Sequence, residues 1–112
     1  MEKRIWITFD LGVRGDYDRL YQWLDSHEAV ECGNGVATLS YNFSTQEETF
    51  EGIFAEIRKD LQNTITVDAK TKIYVLVGLN NDNGSTGGSF IFGNRRSGPW
   101  DGYAQKDSEI DE

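Results

Sequence analysis

The sequence predicts an α+β domain in which two helices pack on one face of an antiparallel sheet. Three observations predict it. Short runs of β-branched and aromatic residues alternate with two stripes of apolar residues at helical spacing. An Asn34-Gly35 pair sits between two extended runs, the signature of a hairpin. A chain of 112 residues with 38% hydrophobic side chains suffices for one core in one domain.

Residues 4–10 (Arg4-Ile5-Trp6-Ile7-Thr8-Phe9-Asp10) read as a strand with Ile5, Ile7 and Phe9 on the core face. A loop with two glycines follows, and Asp16 is placed to cap a first helix. Tyr17, Leu20, Tyr21 and Leu24 form its stripe, with Trp23 at the rim. His27 stands at its C-terminal end, where a histidine suits the helix dipole. Ala29 to Cys32 and Val36 to Phe43 make the hairpin, the longer strand turning Ala37, Leu39, Tyr41 and Phe43 to one side. Thr45-Gln46-Glu47-Glu48 reads as a capping box. The helix after it carries Phe50, Ile53, Phe54, Ile57 and Leu61 inward and Glu51, Glu56, Arg58 and Lys59 toward water. Lys72 to Gly78 is apolar on both faces, which suits a strand inside the sheet. Asn80 to Gly88 has turn composition, and Ser89 to Gly93 is a last strand. The order β-α-β-β-α-β is the split βαβ plan of ferredoxin-like domains, here with an additional C-terminal strand.

The formal net charge is −8. Residues 107–112 hold four acids and no base, which leaves −4 for the rest. The expected division is a domain over 1–104 and an acidic, disordered tail over 105–112. Acidity disfavours general nucleic-acid binding, which needs clustered bases to neutralise phosphates. No apolar run approaches the about 18–20 residues of a membrane span, so no membrane contact is expected. Met1-Glu2-Lys3-Arg4 leads straight into a strand rather than a signal peptide. Cys32 is the single cysteine and has no internal disulfide partner. The expected location is the cytoplasm.

The strand Ile5-Trp6-Ile7-Thr8-Phe9-Asp10, a short loop and a helix from Asp16 resemble the opening of the small CRISPR-associated nuclease-like subunits and their relatives, including virulence-associated protein D. The resemblance covers the element order over most of the chain, and one residue, Asp10, maps onto a functional position of that group. It implies a homodimer whose sheets meet, with the strand-end aspartates near the dyad. In active members a divalent metal is held there and RNA or DNA is cut.

Asp10 is accordingly the candidate catalytic residue and ligand for magnesium or manganese, ions that prefer oxygen donors. The structural alternative is an aspartate accepting hydrogen bonds from loop N–H groups such as those of Gly12 or Val13. Asp16 and Asp18 either extend an acidic pocket or cap the first helix, and capping is the commoner role. Arg95, Arg96, Trp100 and Tyr103 form the candidate partner-binding segment. Two arginines beside two aromatics suit either a phosphate and a base or an interface, and the interface is preferred. His27 is expected as a surface histidine and Cys32 as a buried or half-buried hydrophobe. Gly84-Ser85-Thr86-Gly87-Gly88 lacks the lysine of a phosphate loop and reads as a hairpin connection. Two functions of different class follow. The favoured one is a small homodimeric, non-catalytic module that binds a protein partner or structures a complex. The other is a metal-dependent nuclease using Asp10.

Overall fold

A computed structural model of the chain describes residues 1–80 and 84–104. The tail expected at 105–112 and the middle of the expected turn, residues 81–83, lie outside the described residues. The elements are β1 (Glu2–Asp10), α1 (Tyr17–Ser26), β2 (Val30–Gly33), β3 (Val36–Asn42), α2 (Phe50–Thr64), β4 (Lys72–Gly78) and β5 (Thr86–Phe92). The five strands form one open sheet in the order β2-β3-β1-β4-β5, and every neighbouring pair is antiparallel. The chain is thus α+β, consistent with a ferredoxin-like type. Among the described residues no helix is long and apolar enough to cross a membrane.

Period-two alternation explains the layering. Ile5 and Ile7 of β1, Ala37, Leu39 and Tyr41 of β3, and Ile73, Val75 and Val77 of β4 point to one face and are buried. Leu20, Trp23 and Leu24 of α1 and Ile53, Phe54, Ile57 and Leu61 of α2 complete the same core. Burial of each such aliphatic side chain contributes about 1.5–3 kcal/mol of transfer free energy. The opposite face carries Arg4, Trp6 and Thr8 of β1, with Trp6 and Thr8 in register with Leu76 and Tyr74 of β4, and Tyr74 with Phe90 of β5. Trp6 and Leu76 remain 41% and 36% exposed there.

Several local expectations are corrected. Trp23 is buried rather than at the rim, and Tyr21 is the exposed member of the α1 stripe. The indole is drawn inward because its Nε1–H donates to Asp60 on α2 at 3.1 Å. The second helix begins five residues after Thr45, capped by Thr49, whose hydroxyl accepts from the Gly52 N–H. Thr45 accepts instead from the Glu47 N–H, so the expected capping box does not form. Arg58 does not face water. Its Nε and Nη2 donate to the carbonyls of Ile91 and Phe90 at 3.0 and 3.3 Å, beside the irregularity where Ile73 pairs with Phe92 but Tyr74 pairs with Phe90. The last strand starts at Thr86, not Ser89. Gly87 and Gly88 belong to it because rings lie over both its faces: a Cβ at Gly87 would stand 2.8 Å from Phe50, and one at Gly88 would overlap the Tyr74 hydroxyl.

Candidate functional site

Antiparallel pairing brings the end of β1, the start of β4 and the end of β5 to one edge of the sheet. Asp10 pairs there with Lys72. Three loops meet beyond that edge. Asp68 folds the first of them on itself, its Oδ1 accepting from the Lys70 N–H at 2.8 Å and the Thr71 hydroxyl at 3.3 Å. Gly12, at φ +77°, lets the β1–α1 loop approach Lys70, where an added Cβ would come within 3.1 Å of the lysine Cβ. Gly93, at φ +86°, turns the chain leaving β5 equally close to Thr71 and Lys72.

The result is a cleft of about 780 Å³ lined by Arg14, Lys70, Lys72, Arg95 and Arg96, with Asp10 and Asp68. Five of the chain's eleven Lys and Arg residues are gathered here against two carboxylates. Among the described residues none of the five makes an ion pair, since the pairs found are Lys3–Glu48 and Arg19–Asp16. Two of them instead approach aromatic faces. The Arg95 guanidinium lies 5.3 Å from the Phe90 ring centre and 6.0 Å from that of Tyr74, and the Lys72 ammonium lies 5.5 Å from Phe90. Phe90 and Tyr74 meet edge to face at 4.9 Å.

Asp10 Oδ1 accepts from the Gly12 N–H at 3.0 Å, the loop-bracing role that was the structural alternative. Among the described residues no group of three or more His, Cys, Asp or Glu could hold a metal ion. Within one chain the donor set around Asp10 does not fit a divalent cation, because cations outnumber carboxylates in the cleft and a hard ion needs the reverse. Asp16 does not line the cleft. It caps α1 and accepts from the Thr66 N–H at 2.7 Å, which with the Arg19 N–H and guanidinium holds its carboxyl below the usual range. Asp18 is exposed in the first turn of α1.

Arg95 and Arg96 are in the cleft, but Trp100 and Tyr103 are not. These two rings stand 73% and 84% exposed, Trp100 within and Tyr103 just after a turn held by Asp101, which accepts from the Gly98 N–H. The rings that Arg95 meets are Tyr74 and Phe90, from two strands that sequence spacing did not connect with it. His27 is half-buried, stacked on Tyr41 at 5.4 Å with Nδ1 2.7 Å from the Trp23 carbonyl. Cys32 is exposed, contrary to expectation, because the short edge strand β2 turns it away from the core.

Comparison of the chain with family models, with curated proteins and with solved structures finds no match.

Proposed function

We propose that this chain is a non-catalytic binding module of ferredoxin-like architecture, and that the cleft at the β1/β4/β5 edge is its site for an anionic ligand. One observation carries the proposal: five cations that make no ion pair among the described residues surround one cleft in a chain of net charge −8. Five cations gathered against two carboxylates repel one another, so an anion entering the cleft relieves that repulsion. Calorimetric titration with inorganic triphosphate at low salt tests it. Binding is expected, and it should be lost when Arg95 and Arg96 are both replaced by alanine. Absence of heat and of competition at low ionic strength refutes the assignment.

The module is proposed to act as a homodimer, supported by the exposed Trp100 and Tyr103, residue types favoured at interfaces. Light scattering of Trp100→Ala should then report a lower mass than the parent chain.

Asp10 favours a second function, a metal-dependent nuclease, because it lines a cleft attractive to phosphodiesters. Magnesium or manganese would then be held by Asp10 carboxylates from two chains. Metal-dependent cutting of RNA or DNA that disappears in Asp10→Ala would establish it. No cutting with either metal sets it aside.

A further inference from the structure

We propose that the ligand of the cleft is single-stranded nucleic acid, with phosphates held by Lys72, Arg95 and Arg96 and bases stacked along the open sheet face on Phe90, Tyr74 and Trp6. The proposal rests on the anion site just described and adds the chemistry of what carries the anion.

The cleft and the open face are continuous. Lys72, Tyr74 and Leu76 alternate along β4 on the face away from the helices, and their partners on β1 are Asp10, Thr8 and Trp6. From Lys72 to Leu76 this row extends about 13 Å at the rise of an extended strand. Its first rung sets the cation of Lys72 beside Asp10, with Arg95 and Arg96 lining the same cleft. The second is the Tyr74–Phe90 ring pair, and the third presents Trp6, 41% exposed, beside Leu76. Gly88 lies opposite Leu76, and the absence of a side chain there leaves room for the hydroxyl end of the Tyr74 ring over β5. Arg95 and Lys72 already sit against Phe90, at the boundary between charge and ring.

Aromatic rings beside cations at one end of an exposed sheet suit a polymer that alternates charge and aromatic surface. A free phosphate would use the cleft and ignore the face. An acidic peptide would neutralise the cations and have no planar groups for the rings. A duplex keeps its bases stacked on one another and offers them no free surface. A second copy of this chain is disfavoured electrostatically. A two-fold contact through this face would set Arg4, Lys72 and Arg95 of one copy near the same cations of the other. The charge of −8 does not contradict the proposal, because many of the described acids lie on the helices and their caps, among them Asp16, Asp18, Glu51, Glu56 and Asp60, and only Asp10 and Asp68 of the described acids line the cleft.

The test is fluorescence anisotropy of labelled single-stranded RNA and DNA of about 12 nucleotides, with the matched duplex, an oligoglutamate peptide and inorganic triphosphate as competitors. The single strand, as RNA, DNA or both, is expected to bind. With about four phosphates engaged, affinity should fall about 50-fold between about 50 and about 200 mM salt. Trp6→Ala should weaken oligonucleotide binding about tenfold while triphosphate binding is unchanged, and Phe90→Leu, whose ring also supports Arg95 and Lys72, should weaken oligonucleotide binding more than triphosphate binding. Trp6 is exposed and leucine keeps the apolar bulk at position 90, so both variants are expected to fold, which circular dichroism checks. Triphosphate binding with no contribution from either ring overturns this inference and leaves the anion site standing. Equal affinity for the duplex or for oligoglutamate also overturns it. Failure of triphosphate and single strand alike removes both proposals.

Discussion

Asp60 is the hinge of the packing between α1, α2 and the sheet, and its removal gives the sharpest test of how the core is held. One carboxylate oxygen accepts from Trp23 Nε1–H at 3.1 Å and from the Tyr41 hydroxyl at 2.6 Å. Trp23 and Tyr41 are only 4% and 6% exposed. Asp60→Ala therefore leaves two buried donors without an acceptor, at about 1–3 kcal/mol each. Asp60 itself is half-buried, so water can enter behind the lost side chain and restore part of the loss. The expectation is a loss of about 2–3 kcal/mol, a substantial share of the about 5–15 kcal/mol that stabilises a domain. At a urea slope of about 1.5 kcal/mol/M the unfolding midpoint should fall by about 1.3–2 M. Asp60→Asn keeps an acceptor oxygen and should lose about 1 kcal/mol, mainly the charge assistance. The control is the same substitution in a Trp23→Phe, Tyr41→Phe background, where neither donor exists. There Asp60→Ala should cost under about 1 kcal/mol, because removing both sides of a hydrogen bond is cheaper than orphaning one. An equal cost in both backgrounds refutes the reasoning and assigns the effect to α2 itself.

Three further outcomes are expected. Burial, then the bond to Asp60, raises the Tyr41 phenol above its ordinary value. The folded state therefore retains a proton that the unfolded chain releases near pH 10, and stability should decline as pH rises beyond that point. Tyr41→Phe should flatten this alkaline decline in denaturation series. Lys3 is buried on the core side of β1 and pairs with Glu48 at 2.8 Å, while Glu48 is one-third exposed. Glu48→Ala should therefore lower the melting temperature more than Lys3→Met, since the first strands a buried cation and the second leaves a carboxylate that water can reach. Gly88→Ala places a Cβ in the space of the Tyr74 ring and should cost about 1 kcal/mol. Combining it with Tyr74→Leu should recover most of that loss in thermal melts.

Elements governed by local chemistry were legible in the sequence. The Asn34-Gly35 hairpin, the Asp16 cap and the α2 stripe from Ile53 to Leu61 depend on neighbours within a few residues. What depends on distant partners was not legible. Trp23 lies off the centre of its own helical stripe, and only the carboxylate of Asp60, 37 residues away, explains its burial. Arg58 looks like a solvent residue until β5 presents two carbonyls beside its irregular register. Thr45 has the spacing of a capping box, but Thr49 offers a competing cap nearer the apolar run. Lys3 alternates with Ile5 and Ile7 on the inward face, so the strand period did signal its burial, and Glu48 was the missing partner.

The cleft shows the same division more strongly. Arg14, the Lys70/Lys72 pair and Arg95-Arg96 lie in three separate stretches of chain, and the sequence marked only Arg95-Arg96 as a candidate binding segment. What joins them is topology. β4 is antiparallel to both β1 and β5, so the end of one neighbour, its own start and the end of the other fall at a single edge. Net charge argued against general nucleic-acid binding because it sums over the whole chain and hides the excess of cations over carboxylates in one cleft. The relevant quantity is local. A potential decays over about 8–10 Å at physiological salt, so five cations in one cleft govern what approaches that cleft, whatever the acids beyond that distance contribute. The paired strands also carry Tyr74 and Phe90 to the border of that charge. Register, rather than composition, therefore sets both parts of the site, and a one-residue slip of β4 would turn Tyr74 inward and dismantle it.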